Sequence, residues 1–125
     1  MRKKRVFVSF DFDNDRDLKT MLIGQARLPD SPFAVIDHSL KEAAPNPLWQ
    51  MRARAAIRRA DVVVVILGAR TRTARGVLAE IRMAKTLGKP IVQIIGRRWG
   101  GRHWRIPGAG RVYSWTWPNL KQILS

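Results

Sequence analysis

The run "VVVVIL" at residues 62–67 is the feature that most restricts the fold of this chain. It is apolar at every position and β-branched at all but the last. A strand of this composition is typical of a sheet that is covered on both faces, because neither face carries a polar side chain. The run therefore predicts a central strand, and it favours a sheet packed between two layers.

Apolar runs and helical periodicities alternate along the rest of the chain. Further strands are predicted at 5–10, 33–37 and 91–96, with a fifth edge strand at 112–115. Helices are predicted at 15–28, 46–60, 73–89 and 117–124. Strands that alternate with helices indicate βαβ units with right-handed crossovers. We therefore predict an α/β fold: a flavodoxin-like, doubly wound parallel sheet of four to five strands in one domain, residues 1–125.

Composition removes several classes of protein and site. The chain has no cysteine, which excludes disulfides and thiolate metal sites, and no metal site is expected. Its start is basic and then apolar, but the apolar part is too short for a signal peptide, and acidic residues follow it. No run approaches the roughly 18 apolar residues of a membrane span. The expectation is a cytoplasmic protein that has no membrane partner.

The formal net charge of +15 attracts polyanions or phosphorylated small molecules. The basic residues are scattered in sequence, which is more typical of a solvated surface than of a binding stripe. In the segment "RRWGGRHWR", at 97–105, tryptophan and arginine could stack on and clamp a nucleic-acid strand. Nucleic acid therefore stays open as a partner, although it is not the favoured one.

The loop "DFDNDRD" at 11–17 holds four of the nine acidic residues of this basic chain. Open α/β sheets bind ligands outside the carboxyl ends of their strands, where the strand order reverses. For the order 2-1-3-4 that point lies between the first and third strands, next to this loop. Asp15 is predicted to cap the first helix. Asp11 and Asp13 come too early to cap, so a structural and a ligand-binding role are equally open for them.

Glu80 is the second acidic residue of interest. On a helical wheel, Val77, Ile81 and Ala84 centre the buried stripe of the third helix, and Glu80 falls about 60° to one side. The residue is therefore predicted to lie at the margin of the buried face. Two interpretations remain open at this point: a role in a site, and an ion pair with a nearby arginine.

The combination of "VFVSFDFDND", "FAVIDHSLKEAAP" and "ARAAIRRADVVVVILGARTRTARGVLAEIRMAKTLGKPIVQIIG" resembles the TIR-like family of the bacterial Thoeris antiphage system, over residues 5–96. Ser9 and Phe10 match the family's Ser-aromatic pair, and Asp15 matches its loop aspartate. Glu80 matches the family's glutamate. No cysteine precedes that glutamate, and "DHSLKEAAP" replaces the Arg-Asp and Pro-Gly marks of many TIR domains.

The resemblance implies an enzyme of the NAD glycohydrolase or ADP-ribosyl cyclase type. It would cleave the nicotinamide–ribose bond of NAD and make a cyclic ADP-ribose-type signal. NAD is then the substrate, no cofactor is needed, and Glu80 is the catalytic carboxylate. The implied partners are further copies of the chain, a signal-receiving effector protein and a phage-derived trigger. The substrate-binding residues would be Phe10, Asp11, Asp37, Ser39 and Trp49.

These residues carry different expected roles. Phe10 would stack on or shape the nicotinamide end, with Asp11 beside it. Asp37 and Ser39 would contact the ribose or phosphate. Trp49 would offer an aromatic face to a base, although core packing explains it equally well. The alternative function is a non-catalytic nucleotide-binding or protein-interaction module in which Glu80 is structural.

Overall fold

The computed structural model describes residues 2–36, 47–97 and 104–125, which form strands β1 to β5 and helices α1 to α4. A short 3-10 helix at Thr71–Thr73 precedes α3. In chain order the elements are β1 Lys4–Ser9, α1 Arg16–Ala26, β2 Phe33–Val35, α2 Pro47–Arg59, β3 Val62–Leu67, α3 Arg75–Thr86, β4 Ile91–Ile95, β5 Val112–Ser114 and α4 Trp117–Ile123. Among the described residues, no helix combines the length and apolarity that a membrane span requires.

The strands form one parallel sheet in the order β2-β1-β3-β4-β5. This confirms the predicted flavodoxin-like α/β fold, including the fifth edge strand. All six residues of β3 are buried. In the register of the sheet, Val63 of β3 lies between Phe7 of β1 and Ile91 of β4. The apolar run therefore occupies the centre of the sheet, as its composition predicts.

Alternate residues of the strands serve two separate cores. Phe7 and Val63 belong to the core beneath α2 and α3, whereas Val6 and Val64 belong to the core beneath α1 and α4. The predicted helix stripes are buried as expected: Leu18, Leu22 and Ala26 in α1, and Val77, Ile81 and Ala84 in α3. Full burial of a Leu or Ile side chain contributes about 1.5–3 kcal/mol, so these stripes fix each helix on its face of the sheet.

The bounds of β3 match the prediction, and the boundaries of the other elements differ from it by up to three residues. Helix α3 begins at Arg75 rather than at residue 73, because residues 71–73 form the 3-10 helix and Ala74 is extended, with φ −71° and ψ 118°. Strand β2 ends at Val35, and the N–H of Ile36 still donates to the carbonyl of Val6 at 2.8 Å. The predicted strand end at residue 37 lies outside the described residues.

The outer edge of β2 is partly closed by Ser31. Pro32 and Ile36 bond toward β1, so Phe33 between them points its backbone groups away from the sheet. The buried hydroxyl of Ser31 donates to the Phe33 carbonyl at 2.9 Å and accepts from the Phe33 N–H at 3.2 Å. Unpaired groups on an edge strand invite pairing with another chain, and Ser31 removes two of them here.

Two glycines provide a matched test of the fold. At Gly110, φ is +88° and an added Cβ would lie 1.9 Å from the carbonyl oxygen of Ile91, whereas a Cβ at Gly24 in α1 would meet nothing within 4 Å. We expect Gly110→Ala to lower the free energy of unfolding by about 2 kcal/mol or more, through strain and overpacking. Gly24→Ala should raise it by about 0.5–1 kcal/mol. Urea denaturation of both variants measures this, and equal effects would contradict the described backbone at Gly110.

Candidate active site at the carboxyl ends of the strands

Glu80 is turned inward toward the sheet. It lies in the second turn of α3, and only 6% of the residue is exposed. The hydroxyl of Ser9, the last residue of β1, donates a hydrogen bond to Glu80 Oε1 at 2.7 Å. The contact is buried and involves an acidic acceptor, the class of hydrogen bond that is shorter and stronger than a neutral one. Glu80 is therefore held next to the end of β1, and its burial agrees with the helical wheel, which predicts a position at the margin of the buried face.

Ser9 reaches Glu80 because of strand alternation. Side chains two apart on a strand share a face, so Ser9 follows Phe7 into the core beneath α3. A buried hydroxyl without a partner costs free energy, and the carboxylate of Glu80 supplies that partner. The sequence analysis used Ser9 only as part of a motif. Its spacing from Phe7 is the signal that identifies its orientation.

Asp11 organises its own loop. Its carboxylate accepts the N–H of Asp13 at 3.2 Å and the side-chain amide of Asn14 at 2.6 Å, and Asp11 is 8% exposed. The backbone carbonyl of Asp11 also accepts the N–H of Asp15 at 2.8 Å. These bonds give Asp11 a structural role as a turn former. Its predicted contact with a substrate stays a prediction.

The prediction that the Asp15 side chain caps α1 is wrong. Asp15 does occupy the N-cap position, but its side chain makes no capping hydrogen bond. The carboxylate instead points into the protein, where it is 1% exposed. Arg97, just after β4, donates from Nε to Asp15 Oδ1 at 3.2 Å. The Asp15 side chain therefore pairs with Arg97 and not with the backbone amides at the start of α1.

Gly68 makes room for this buried carboxylate. A Cβ at Gly68, the residue after β3, would lie 2.0 Å from Asp15 Oδ2. The N–H of Gly68 donates to the Thr71 hydroxyl at 2.7 Å, and that hydroxyl lies 3.2 Å from the carbonyl oxygen of Ile66 and 3.4 Å from Asp15 Oδ2. The segments that follow β1, β3 and β4 thus meet at Asp15.

Arg97 also contacts Asp17, and the two aspartates respond differently. Its Nη2 lies 2.6 and 2.7 Å from the two oxygens of Asp17. The hydrogen bond from Arg97 lowers the pKa of the exposed Asp17. Burial raises the pKa of Asp15 above its ordinary value of 3.8, and Arg97 only partly opposes that rise. Asp15 is therefore the member of this cluster whose ionised form is costly, and Arg97 offsets part of that cost.

Phe10 lies in a different layer from Glu80. It is half-buried and packs with the core beneath α1 and α4. The Nζ of Lys19 lies 5.1 Å from the centroid of the Phe10 ring, and the ring of Phe12 lies 6.0 Å away. Strand alternation explains the separation, because Phe10 and Ser9 are neighbours and point to opposite faces. The structure does not bring Phe10 and Glu80 together on one face.

The other predicted substrate contacts are buried or lie outside the described residues. Trp49 is 3% exposed and belongs to the core beneath α2 and α3, which supports the packing interpretation. Asp37 and Ser39 lie outside the described residues. Near the same rim, the guanidinium of Arg72 lies 4.2 Å from the centroid of the Trp104 ring. This contact joins the segment before α3 to the segment before β5.

Two grooves lined by described residues lie away from Glu80. One, of about 370 Å³, runs between α1 and β2 and includes Lys19 and Arg27. The other, of about 480 Å³, lies at the amino ends of the strands beside Asp61. Within residues 2–36, 47–97 and 104–125 there is also no group of three or more His, Asp or Glu side chains placed to hold a metal ion.

A family model described as "Thoeris protein ThsB, TIR-like domain" matches residues 7–97. The chain belongs to this family. The match begins in β1 and ends at Arg97, so it includes Ser9, Glu80 and the Asp15 cluster. This confirms the resemblance drawn from the sequence. Strand β5 and helix α4 lie beyond the matched residues, and no curated protein matches the chain.

The Asp15–Arg97 pair should be coupled in stability. Arg97→Met keeps the aliphatic stem but leaves Asp15 buried without its cation, and we expect a loss of about 1–3 kcal/mol at neutral pH. This is less than the 3–5 kcal/mol typical of fully buried pairs, because Arg97 is 35% exposed. Adding Asp15→Asn to Arg97→Met should recover part of the loss. Denaturant unfolding of both single variants and the double variant measures the coupling, and simple additivity would contradict it.

The same variants predict a pH dependence. Because the pKa of Asp15 is raised in the folded state, the folded protein holds this proton more tightly than the unfolded chain does. The contribution of protonated Asp15 to the free energy of unfolding is therefore lost as the pH rises from 3.8 through the pKa that Asp15 has in the folded protein. Removing Arg97 should raise that pKa further, so the Arg97→Met deficit should shrink as the pH is lowered toward 4. Unfolding measured across this range would contradict the prediction if the deficit grew in acid.

Proposed function

We propose that this chain is an NAD-consuming enzyme of antiphage defence, with Glu80 as its catalytic carboxylate. It cleaves the nicotinamide–ribose bond and makes a cyclic ADP-ribose-type signal. The observation that carries the proposal is the buried Glu80, oriented by the Ser9 hydroxyl at 2.7 Å. The family model matches the segment that supplies both residues.

Cleavage of the nicotinamide–ribose bond requires one correctly positioned carboxylate from the protein. The bond from the ribose C1′ to the pyridinium nitrogen breaks, and its electron pair returns to the nitrogen, which becomes neutral. Because the leaving group departs as a neutral ring, no general acid is required. The ribose carbon becomes oxocarbenium-like, and a fixed carboxylate stabilises that charge or holds the ribose hydroxyls. A nucleophilic atom of the ADP-ribose portion then closes the cyclic product, whereas attack by water gives hydrolysis.

The surroundings of Glu80 support this role. A carboxylate in a poorly hydrated site interacts more strongly with a developing positive charge than one in bulk water does. The hydrogen bond from Ser9 restricts its rotamer, so less reorganisation accompanies the reaction. Phe10, Asp11, Asp37 and Ser39 remain proposed substrate contacts. Trp49 is assigned to packing, because it is almost completely buried in the core.

The wider role follows the Thoeris family. The cyclic product would act on a separate effector protein, and a phage-derived trigger would start the reaction. Copies of the chain would associate to complete the site, so the isolated protein can be inactive until it assembles.

Replacing Glu80 with Gln is the direct test. Glutamine has the same shape and can still accept the Ser9 hydrogen bond, so the variant removes the charge with little change in packing. We expect the cyclic product and NAD loss to fall at least about 100-fold, while the melting temperature stays close to the wild type. The assay is mass-resolved nucleotide analysis of lysates from infected cells that carry either protein.

Asp30→Asn is the matched control. Asp30 is an exposed carboxylate that pairs with Lys121 at 3.2 Å, at a distance from the site in both sequence and element. The Asp30→Asn substitution also changes a carboxylate to an amide, and we expect it to leave NAD turnover unchanged. Wild-type rates in a folded Glu80→Gln protein would remove Glu80 from catalysis. Nucleotide binding without turnover under any trigger would instead favour the non-catalytic module.

Ser9 should behave as a positioning residue for Glu80. Ser9→Ala removes the donor of a charge-assisted hydrogen bond, and we expect turnover to fall about tenfold or more. Ser9→Thr retains a hydroxyl and a β-branched shape that suits a strand, so it should recover most of the activity. Equal losses in the two variants would indicate that packing, and not the hydroxyl, matters at this position. Product formation in the same lysate assay gives the comparison.

A further inference from the structure

Nearly all of the charged side chains on helices α2 and α3 are positive. Their single carboxylate is that of Glu80, which is buried. Every cationic side chain of the two helices is exposed. These side chains, defined here as the basic face, are Arg52, Arg54, Arg58, Arg59, Arg75, Arg82 and Lys85.

The opposite layer is mixed in sign. Helix α1 carries both Arg16 and Asp17 in its first turn. Asp30, in the loop after α1, pairs with Lys121 of α4 at 3.2 Å. Of the ten Lys and Arg residues in helices α1 to α4, seven therefore lie on α2 and α3.

Helical spacing spreads the cations across the outer surface. On α2, Trp49, Ala53 and Ile57 face the core. Arg52 and Arg59, seven residues apart, flank one side of that stripe, and Arg54 and Arg58, four apart, flank the other.

The face continues onto the next helix, because α3 packs beside α2 in the same layer. Arg75, Arg82 and Lys85 are exposed on α3, at spacings of seven and three residues that place them along one side. The exposed cations of α2 and α3 thus lie in the same helical layer.

Local helix electrostatics does not account for this arrangement. Arg58 and Arg59 end α2, where cations interact favourably with the helix dipole. Arg52 and Arg54 lie in the interior of α2, where that effect has faded. Arg75 is the first residue of α3, where the dipole disfavours a cation. The helix dipole therefore accounts for Arg58 and Arg59 and leaves the other cations of the basic face unexplained.

We propose that the basic face binds the phosphate backbone of nucleic acid, independently of base sequence. Six of its seven cations are arginine, whose planar guanidinium donates two parallel hydrogen bonds to a phosphate. Counterion release from the polymer supplies the free energy of such binding. The proposal concerns the outer surface of α2 and α3 and does not depend on the role of Glu80.

Two other anionic partners could bind a surface of this charge. An acidic protein would also use apolar anchors, and Met51 on α2 is 65% exposed. A membrane of anionic lipids would require only charge. Nucleic acid is favoured because six of the seven cations are arginine, which pairs well with phosphate, and because a polymer of phosphates gains free energy from counterion release at each contact. Both partners are included as outcomes of the test.

The test measures binding of the full chain to a short, fluorescently labelled DNA duplex between about 50 and 200 mM salt. The face variant replaces Arg54, Arg58 and Arg82 with Gln. The control variant replaces Lys3, Arg27 and Lys121, which are exposed cations outside the basic face, with Gln. Both variants lose three positive charges, so bulk electrostatics changes equally.

We expect the slope of log affinity against log salt to fall by up to about three units in the face variant, and by less than about one in the control. Affinity should drop at least about tenfold only in the face variant. Thermal denaturation checks that each variant is folded. If the triple variant is not, Arg54→Gln and Arg82→Gln tested singly should each lower the slope by about one unit.

Equal losses in the face and control variants would overturn the proposal, because they would show an effect of net charge alone. Polyglutamate or anionic phosphatidylserine vesicles provide the competing probes. If either binds more tightly than the duplex and loses binding only in the face variant, the surface belongs to an acidic protein or a membrane instead. Failure of nucleic-acid binding would leave the Glu80→Gln result unaffected.

Discussion

The burial of β3 on both faces is the constraint on which the rest of the structure depends. All six of its residues are buried, so helices must cover both sides of the sheet. To cover both sides, the chain adds β2 on one side of β1 and then returns to add β3 and β4 on the other side. Strands β1 and β3 therefore become neighbours. The loops after these two strands then meet at one edge. The position of the candidate site follows from the need to bury an apolar strand.

Asp15 and Glu80 are both buried at that edge, and their hydrogen-bond partners differ. Asp15 accepts a hydrogen bond from the guanidinium of Arg97 in a space that Gly68 leaves open. Glu80 accepts one from the neutral hydroxyl of Ser9. The Arg97 contact joins the segments after β1 and β4 at Asp15, beside Gly68 after β3, whereas the Ser9 contact fixes the orientation of Glu80 next to the end of β1.

Local patterns predicted the features that depend on local geometry. The stripe of Val77, Ile81 and Ala84 placed Glu80 inward because side-chain direction in a helix repeats with a fixed period. The bounds of β3 were predicted correctly, because the run at 62–67 contains no polar residue that would end a strand early. The same patterns failed for Asp15. A residue before a helix can cap it or turn away, and the partner that decides, Arg97, lies 82 residues further along the chain.

Phe10 shows a second limit of motif reasoning. The family motif pairs it with Ser9, but neighbours on a strand point to opposite faces, and only Ser9 reaches the layer of α3. A motif thus brings together in sequence two residues that the fold separates. Arg97 had no signal in the sequence, because a single arginine after a strand has many available partners. The same holds for the basic face, whose members become neighbours only when α2 and α3 pack together.

Helix α3 contributes residues both to the candidate site and to the basic face. Its inner side carries Glu80 beside the buried stripe, and its outer side carries Arg82 and Lys85. Because Val77 and Ile81 anchor the helix to the sheet, exchanging an exposed arginine for another long polar side chain leaves the position of Glu80 fixed. If a nucleic acid bound the basic face, several copies of the protein would gather along it, and their local concentration would rise. Copies gathered in this way would meet more often, which favours any site that neighbouring copies complete.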